Sequence, residues 1–230
     1  MAGKTATLDI TTNHLTMAGA TGAASTGALT KAGAGTLTLT GTSTYSGITT
    51  ISGGSLALGA GDSINNSGGV ALDNGHFNVS AIPAGYAVAA LTGNGSVTGD
   101  LTVTRLVPGS SPGTITFDNT LTLTSIADFE INGLGAGEYD LATGGGGSQQ
   151  VNFGGTLNLL FAPGFNTTGT VKIFDFETYS GNFTTVNPTG LASGYEASFD
   201  QTSGLVTVIP EPGAGLLGSL GLLALLRRRR

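Results

Sequence analysis

Residues 36–39 read Thr-Leu-Thr-Leu, the same alternation of hydroxyl and apolar side chains returns at residues 101–104 and 120–124, and Leu56 and Leu58 alternate around a small residue. A period of two sends successive side chains to opposite sides of an extended chain. Each run therefore predicts a strand with one buried face and one polar face. The runs are short, and Gly33, Gly35, Gly41, Gly47 and the pair Gly53-Gly54 separate the first of them. Strands this short bury too little surface to stand alone and must stack on their neighbours, as the rungs of a solenoid do. Further short strands are expected at residues 8–10, 48–51, 70–72, 77–79, 86–91, around 97, and at 115–117 and 126–131. Beyond residues 144–147, four glycines that read as a loop, the pattern continues at 156–161, 170–176, 183–186, 195–199 and 205–209. Residues 15–28 are mostly small and offer few anchors.

Composition narrows the class. Forty glycines, seven prolines and no Trp or Cys do not suit a compact α/β enzyme, and 10 % charged residues falls well below the usual ~25 %. The 39 % hydrophobic content, much of it alternating with Thr, argues against wholesale disorder. A repetitive all-β protein with many tight turns fits both facts. Eight of the ten phenylalanines lie from Phe129 onward, as expected of a cap or small sheet closing the open end of the stack.

Residues 28–59 carry a more specific signal: Leu29-Thr30-Lys31, Gly33, Gly35-Thr36-Leu37-Thr38-Leu39, Gly41, Thr44-Tyr45-Ser46-Gly47, Thr50-Ile51, Gly53-Gly54 and Leu56. This run resembles the autotransporter-associated β-strand repeat of bacterial surface proteins, departing from it only slightly at Ile48. The resemblance implies a right-handed parallel β-helix. Pro108-Gly109-Ser110-Ser111-Pro112-Gly113, a rigid double turn, resembles an element late in the same surface-protein families.

The C-terminus carries a second resemblance. Pro210-Glu211-Pro212 is followed by the uncharged residues 213–226 and then by Arg227, Arg228, Arg229 and Arg230. The order is similar to the PEP-CTERM sorting signal of Gram-negative bacteria, which implies an exosortase-type membrane protease as partner. In that scheme Pro210, Glu211 and Pro212 are the processing motif, residues 213–226 a short hydrophobic helix in the inner membrane, and the four arginines the stop-transfer signal. Fourteen residues reach only about 21 Å as a helix against a ~30 Å hydrocarbon core. A transient intermediate suits that length better than a permanent anchor, unless residues 206–209 dip into the interface. Residues 1–20 contain no apolar run of the kind an export signal needs, so the given chain is expected to be a piece of a longer exported protein.

Chemistry is sparse. Asp128 and Glu130 lie two apart within one expected strand, as do Asp175 and Glu177 with Phe174 and Phe176 on the other side. Paired carboxylates can perform glycoside chemistry, and β-helices can carry polysaccharide lyases or hydrolases. The plainer account is a solvated face opposite a buried one. Arg105 and Lys172 are the central basic candidates, and neither has a clustered partner along the sequence. His14 and His76 are isolated and read as loop residues, with no metal-binding spacing around them. Five scattered tyrosines leave sugar stacking and core packing equally open. Ahead of Pro210, thirteen acidic residues face four basic ones, a balance of −9 that is ill suited to nucleic acid.

These readings converge on an all-β chain: rungs of a β-solenoid over residues 1–106, a β-rich continuation or cap over 107–209, and a sorting tail over 210–230. The expected role is a non-enzymatic surface or matrix protein with no cofactor, adhesin-like, with exopolysaccharide as a possible ligand. The other readings are a carbohydrate-active β-helix enzyme and a plain autotransporter passenger. No set of amphipathic strands for an outer-membrane barrel follows the body, which counts against the latter.

Overall fold

The structure, a computed structural model, describes residues 4–18, 26–61, 64–65, 67–109, 112–147 and 149–211. These residues are all-β, with no helix among them. In chain order the first strands are β1 (Ala6–Asp9), β2 (His14–Met17), β3 (Leu29–Ala32), β4 (Thr36–Leu39), β5 (Thr49–Ser52) and β6 (Ser55–Leu58). Longer strands follow: β7 (Val70–Asn78), β8 (Tyr86–Thr98), β9 (Leu101–Pro108), β10 (Thr114–Phe117) and β11 (Leu121–Ile131). Next come β12 (Leu141–Gly144), β13 (Gln150–Phe153), β14 (Thr156–Phe165), β15 (Gly169–Lys172) and β16 (Phe174–Asp175). The last are β17 (Thr178–Gly181), β18 (Thr185–Leu191), β19 (Tyr195–Asp200) and β20 (Leu205–Pro210).

All but three of these strands form one continuous parallel ladder, the pairing of a β-helix. Three stacks can be followed. On the first face Leu8 pairs with Lys31, Lys31 with Ile51, Ile51 with Leu72 and Leu72 with Gly93, and the stack runs on through β9, β11 and β14 to β18. On the second, Leu15, Leu37, Leu56, Phe77, Val97 and Phe117 lie above one another, and β12 and β16 continue the stack. The third is formed by the starts of β8, β9 and β11, then β13 and β17. Successive rungs lie 20 residues apart from Thr98 to Asp118 and 30 apart from Asp128 to Asn158. The added residues form the loop at 132–140 and the segment between β14 and β16, which contains β15.

The Thr-Leu alternation acts as expected. Leu37, Leu39, Leu56 and Leu58 are buried while Thr36, Thr38 and Ser55 are not. Each fully buried leucine contributes about 1.5–3 kcal/mol relative to leaving it in water. One hydrophobic cluster runs from Leu29 to Val208. Over its C-terminal part, β15, β20 and β19 form a separate antiparallel sheet. Phe199 on β19 meets Phe153, Phe174 and Phe183 at ring-centroid distances of 5.6, 5.8 and 5.7 Å, so this sheet closes over the phenylalanines of the last rungs.

Several expected elements change. Residues 70–72 and 77–79 belong to one strand, β7, with Asn74 at φ 56° where the register slips by one residue. Residues 120–124 and 126–131 are likewise one strand, β11, and 170–176 splits into β15 and β16. The strands β2, β12, β13 and β17 had no clean alternation to mark them. Ile48 lies outside β5 and is 52 % exposed. Residues 206–209 cannot dip into a membrane interface without dismantling the antiparallel sheet, because Val206 and Val208 are buried in β20. No helix among the described residues is long and apolar enough to cross a membrane; the expected helix at 213–226 and Arg227, Arg228, Arg229 and Arg230 lie outside them.

Candidate functional site: the polar ladders on the outside of the solenoid

Parallel in-register stacking places equivalent side chains of successive rungs above one another, about 4.8 Å apart. The interior columns are apolar, so the polar residues between them form columns on the outside. Three networks stand out. On the second face His76 Nε2 lies 3.0 Å from Thr98 Oγ1, and that hydroxyl donates to Asp118 Oδ2 at 2.8 Å. A hydroxyl has one proton, so His76 must donate to Thr98. This is the reverse of nucleophile activation, in which histidine accepts the hydroxyl proton. On the third face Asn152 donates to Thr122 at 3.1 Å and accepts a short hydrogen bond from Ser180.

The densest network lies on the first face, where β11, β14 and β18 run side by side. Arg105 donates through Nε and Nη2 to Asp128 Oδ2 at 3.0 and 2.8 Å. Asn158 donates to Asp128 Oδ1 at 2.6 Å, and Asn187 donates to Asn158 Oδ1 at 3.3 Å. The register makes Asp128, Asn158 and Asn187 direct neighbours in one column. Asp128 is 7 % exposed, covered by its partners rather than solvated.

One acid of each candidate pair is therefore committed elsewhere. Asp128 and Glu130 do share a side of β11, but Asp128 is held by Arg105 and Asn158. Asp175 forms an ion pair with Lys172 at 2.6 Å, while Phe174 and Phe176 are buried beside it. Glu177 lies beyond the end of β16. Neither Arg105 nor Lys172 lacks a partner, contrary to the sequence reading. The expectation of loop histidines is also corrected: His14 is in β2 and His76 in β7. Tyr45 and Tyr86 are buried, with Tyr45 bonded to Thr49 at 2.7 Å and Tyr86 accepting from the Ile64 N–H at 2.6 Å, so these two serve packing. No group of three or more His, Cys, Asp or Glu side chains among the described residues is placed to hold a metal. A cleft lined by Ile64, Ser67, Val70 and Val88 has about 10 Å³ of free space, the room of a single water.

Two further ionisable residues are buried in the fold, one of them noted in the sequence only as part of the repeat and the other not at all. Lys31 occupies an interior position, between Leu8 and Ile51 in the first-face column, and is fully buried. Its ammonium donates to the carbonyls of Ala32 and Gly33 at 2.8 Å each and of Gly53 at 3.3 Å, spending its three protons on the corners of two successive rungs. Burial lowers its pKa, an effect that the charge of Asp9 partly offsets. Asp140 is also fully buried; Oδ1 accepts from the Gly113 N–H at 2.7 Å and Oδ2 from the Glu130 N–H at 2.8 Å. Burial raises its pKa to about 6, against those two hydrogen bonds, with a smaller upward push from Glu130. With both oxygens bound and no exposure, Asp140 holds a corner together and offers no acid to a substrate.

Of the C-terminal motif, Pro210 and Glu211 lie within the described residues and are exposed; Pro212 lies outside them. Pro210 ends β20, and the Glu211 N–H donates to the Gly194 carbonyl at 2.8 Å.

Comparison with known proteins bears on the repeat. Residues 29–58 match the family model of the passenger-associated-transport-repeat, and β3 through β6 are its strands. No curated protein and no solved structure matches the chain. The chain thus carries, over residues 29–58, a repeat associated with autotransporter passenger domains, which fits a surface-exposed passenger.

Proposed function

We propose that the chain is a non-enzymatic, surface-exposed structural protein whose solenoid presents polar ladders to the extracellular matrix. The observation that carries this reading is the passenger-type repeat at residues 29–58, built into an unbroken parallel ladder. The commitment of Asp128 to Arg105 and of Asp175 to Lys172 supports the non-enzymatic part. The C-terminal motif supports a route of the PEP-CTERM type. An exosortase-type protease would act at Pro210, Glu211 and Pro212 after residues 213–226 and the four arginines halt the chain in the inner membrane.

Two measurements test the two halves of this reading. Protease shaving of intact cells of the native host should release peptides of the 30–209 body; protection until lysis would overturn the surface location. Mass spectrometry of the mature protein should find a new C-terminus near residues 210–213. An intact Arg230 end would remove the processing step and leave the surface role standing.

A further inference from the structure

The first-face network leaves hydrogen-bonding groups unspent at its outer end. We propose that the Asp128, Asn158 and Asn187 ladder, with Arg105 at its head, is a binding strip for a neutral, hydroxyl-rich polysaccharide chain. This rests on the surface-protein reading above and gives its ligand a place and a chemical class. The strip runs across β11, β14 and β18, which span 11, 10 and 7 residues and so offer more length than the four-residue strands. Neighbouring outward positions along these strands are about 6.7 Å apart, and rungs about 4.8 Å apart, so the side chains form a flat lattice.

The lattice keeps hydrogen-bonding capacity after its internal bonds are made. Every bond in the ladder points toward Asp128, which leaves Asn187 Oδ1 at the open end as an acceptor with no internal donor. Asn158 and Asn187 each use one amide proton and retain the other. Arg105 spends Nε and Nη2 on Asp128, and its side chain remains 58 % exposed with Nη1 unused. A line of donors and acceptors in fixed orientation suits a polyol, whose hydroxyls can both give and accept. Ile126 and Leu160, each 37 % exposed, lie on the same side of β11 and β14 and offer apolar contact to the C–H faces of sugar rings.

Charge selects the class. Arg105 offsets Asp128 at the head of the strip, and the Glu130 carboxylate on the same side of β11 adds nothing that would draw an anionic polymer. The body around it carries a balance of −9, which disfavours polyuronates and other anionic chains.

The test is affinity electrophoresis of the full chain in gels containing a galactomannan, a mixed-linkage β-glucan or alginate. Retardation by at least one neutral polymer, persisting at high salt and absent with alginate, is expected. Asn187→Leu, at the exposed end of the ladder, should weaken that retardation about tenfold, the equivalent of 1.4 kcal/mol, without shifting the unfolding midpoint. Asn158→Leu should weaken it further. No retardation by either neutral polymer, retardation by alginate alone, or retardation unchanged in Asn187→Leu would each overturn the proposal. Cell-surface shaving is independent of this binding, so failure here leaves the surface location to its own test.

Discussion

At the scale of single residues the fold depends on two buried charges that link neighbouring rungs. Lys31 stands in a column otherwise filled by Leu8, Ile51 and Leu72, and its stem substitutes for their packing. Lys31→Met keeps the stem and removes the ammonium, leaving the Ala32, Gly33 and Gly53 carbonyls without that donor. Unmade buried hydrogen bonds cost about 1–3 kcal/mol, and relief from burying a charge offsets part of it. A net loss of about 1–2 kcal/mol in urea unfolding is the expected outcome; no loss would mean that water serves the corner equally well. Asp140 gives a prediction with a sign. Its folded pKa of about 6 stands above the ordinary carboxyl value of 3.8, so the native state holds its proton more tightly than the unfolded chain. The stability it contributes is full below pH 3.8 and is lost as pH rises through 6. Between pH 5 and 7.5 its share should fall by about 1 kcal/mol. Urea titrations of wild type and Asp140→Asn at the two pH values should show changes in unfolding free energy that differ by that amount.

At the scale of elements the rungs are set by alternation on the flat faces and by glycine at the corners. Gly54 has φ +58°, and a Cβ there would lie 2.3 Å from the Gly35 carbonyl oxygen of the preceding rung. Gly137 also has positive φ, +81°, but nothing lies within 4 Å of its would-be Cβ. Gly54→Ala must therefore push two rungs apart and should cost about 3 kcal/mol or more, while Gly137→Ala should cost only the left-handed backbone penalty of about 1–2 kcal/mol. Circular dichroism melts of the two variants compare them directly. This distinction was invisible in the sequence, where both are glycines among glycines. The strands of the 29–58 repeat were legible because Leu alternates with Thr over 36–39 and with Ser and Ala over 55–58. In β13 (Gln-Val-Asn-Phe) and β17 (Thr-Tyr-Ser-Gly) the alternation is brief and partly polar, and stacking on β11 and on each other makes them strands. The candidate acids were visible, but their commitment was not. Asp128 and its partners Arg105 and Asn158 are 23 and 30 residues apart, distances that only a known rung length turns into contact.

At the scale of the whole molecule the decisive problem for a solenoid is its ends, because a last rung exposes a row of unpaired backbone groups and an open core. The C-terminal rungs meet this with aromatic bulk and a change of pairing. Phe153, Phe174 and Phe183 converge beneath β19, and Phe199 comes down onto all three. The sheet that delivers Phe199 is antiparallel and so cannot extend the parallel ladder; it is bonded to the last rungs through the Gly204 carbonyl, which accepts from the Ile173 N–H at 3.0 Å. Removing the Phe199 ring should therefore act in two ways. Lost burial and ring contacts should lower stability by about 2–4 kcal/mol, as for other truncations of a large aromatic. Loosening the cap should also expose β17 and β18, so that Phe199→Ala associates on warming at temperatures where the fold persists. Light scattering recorded alongside circular dichroism separates the two. Scattering that rises before ellipticity is lost assigns the sheet a protective role at the end of the stack, whereas scattering that follows unfolding assigns Phe199 to core stability alone.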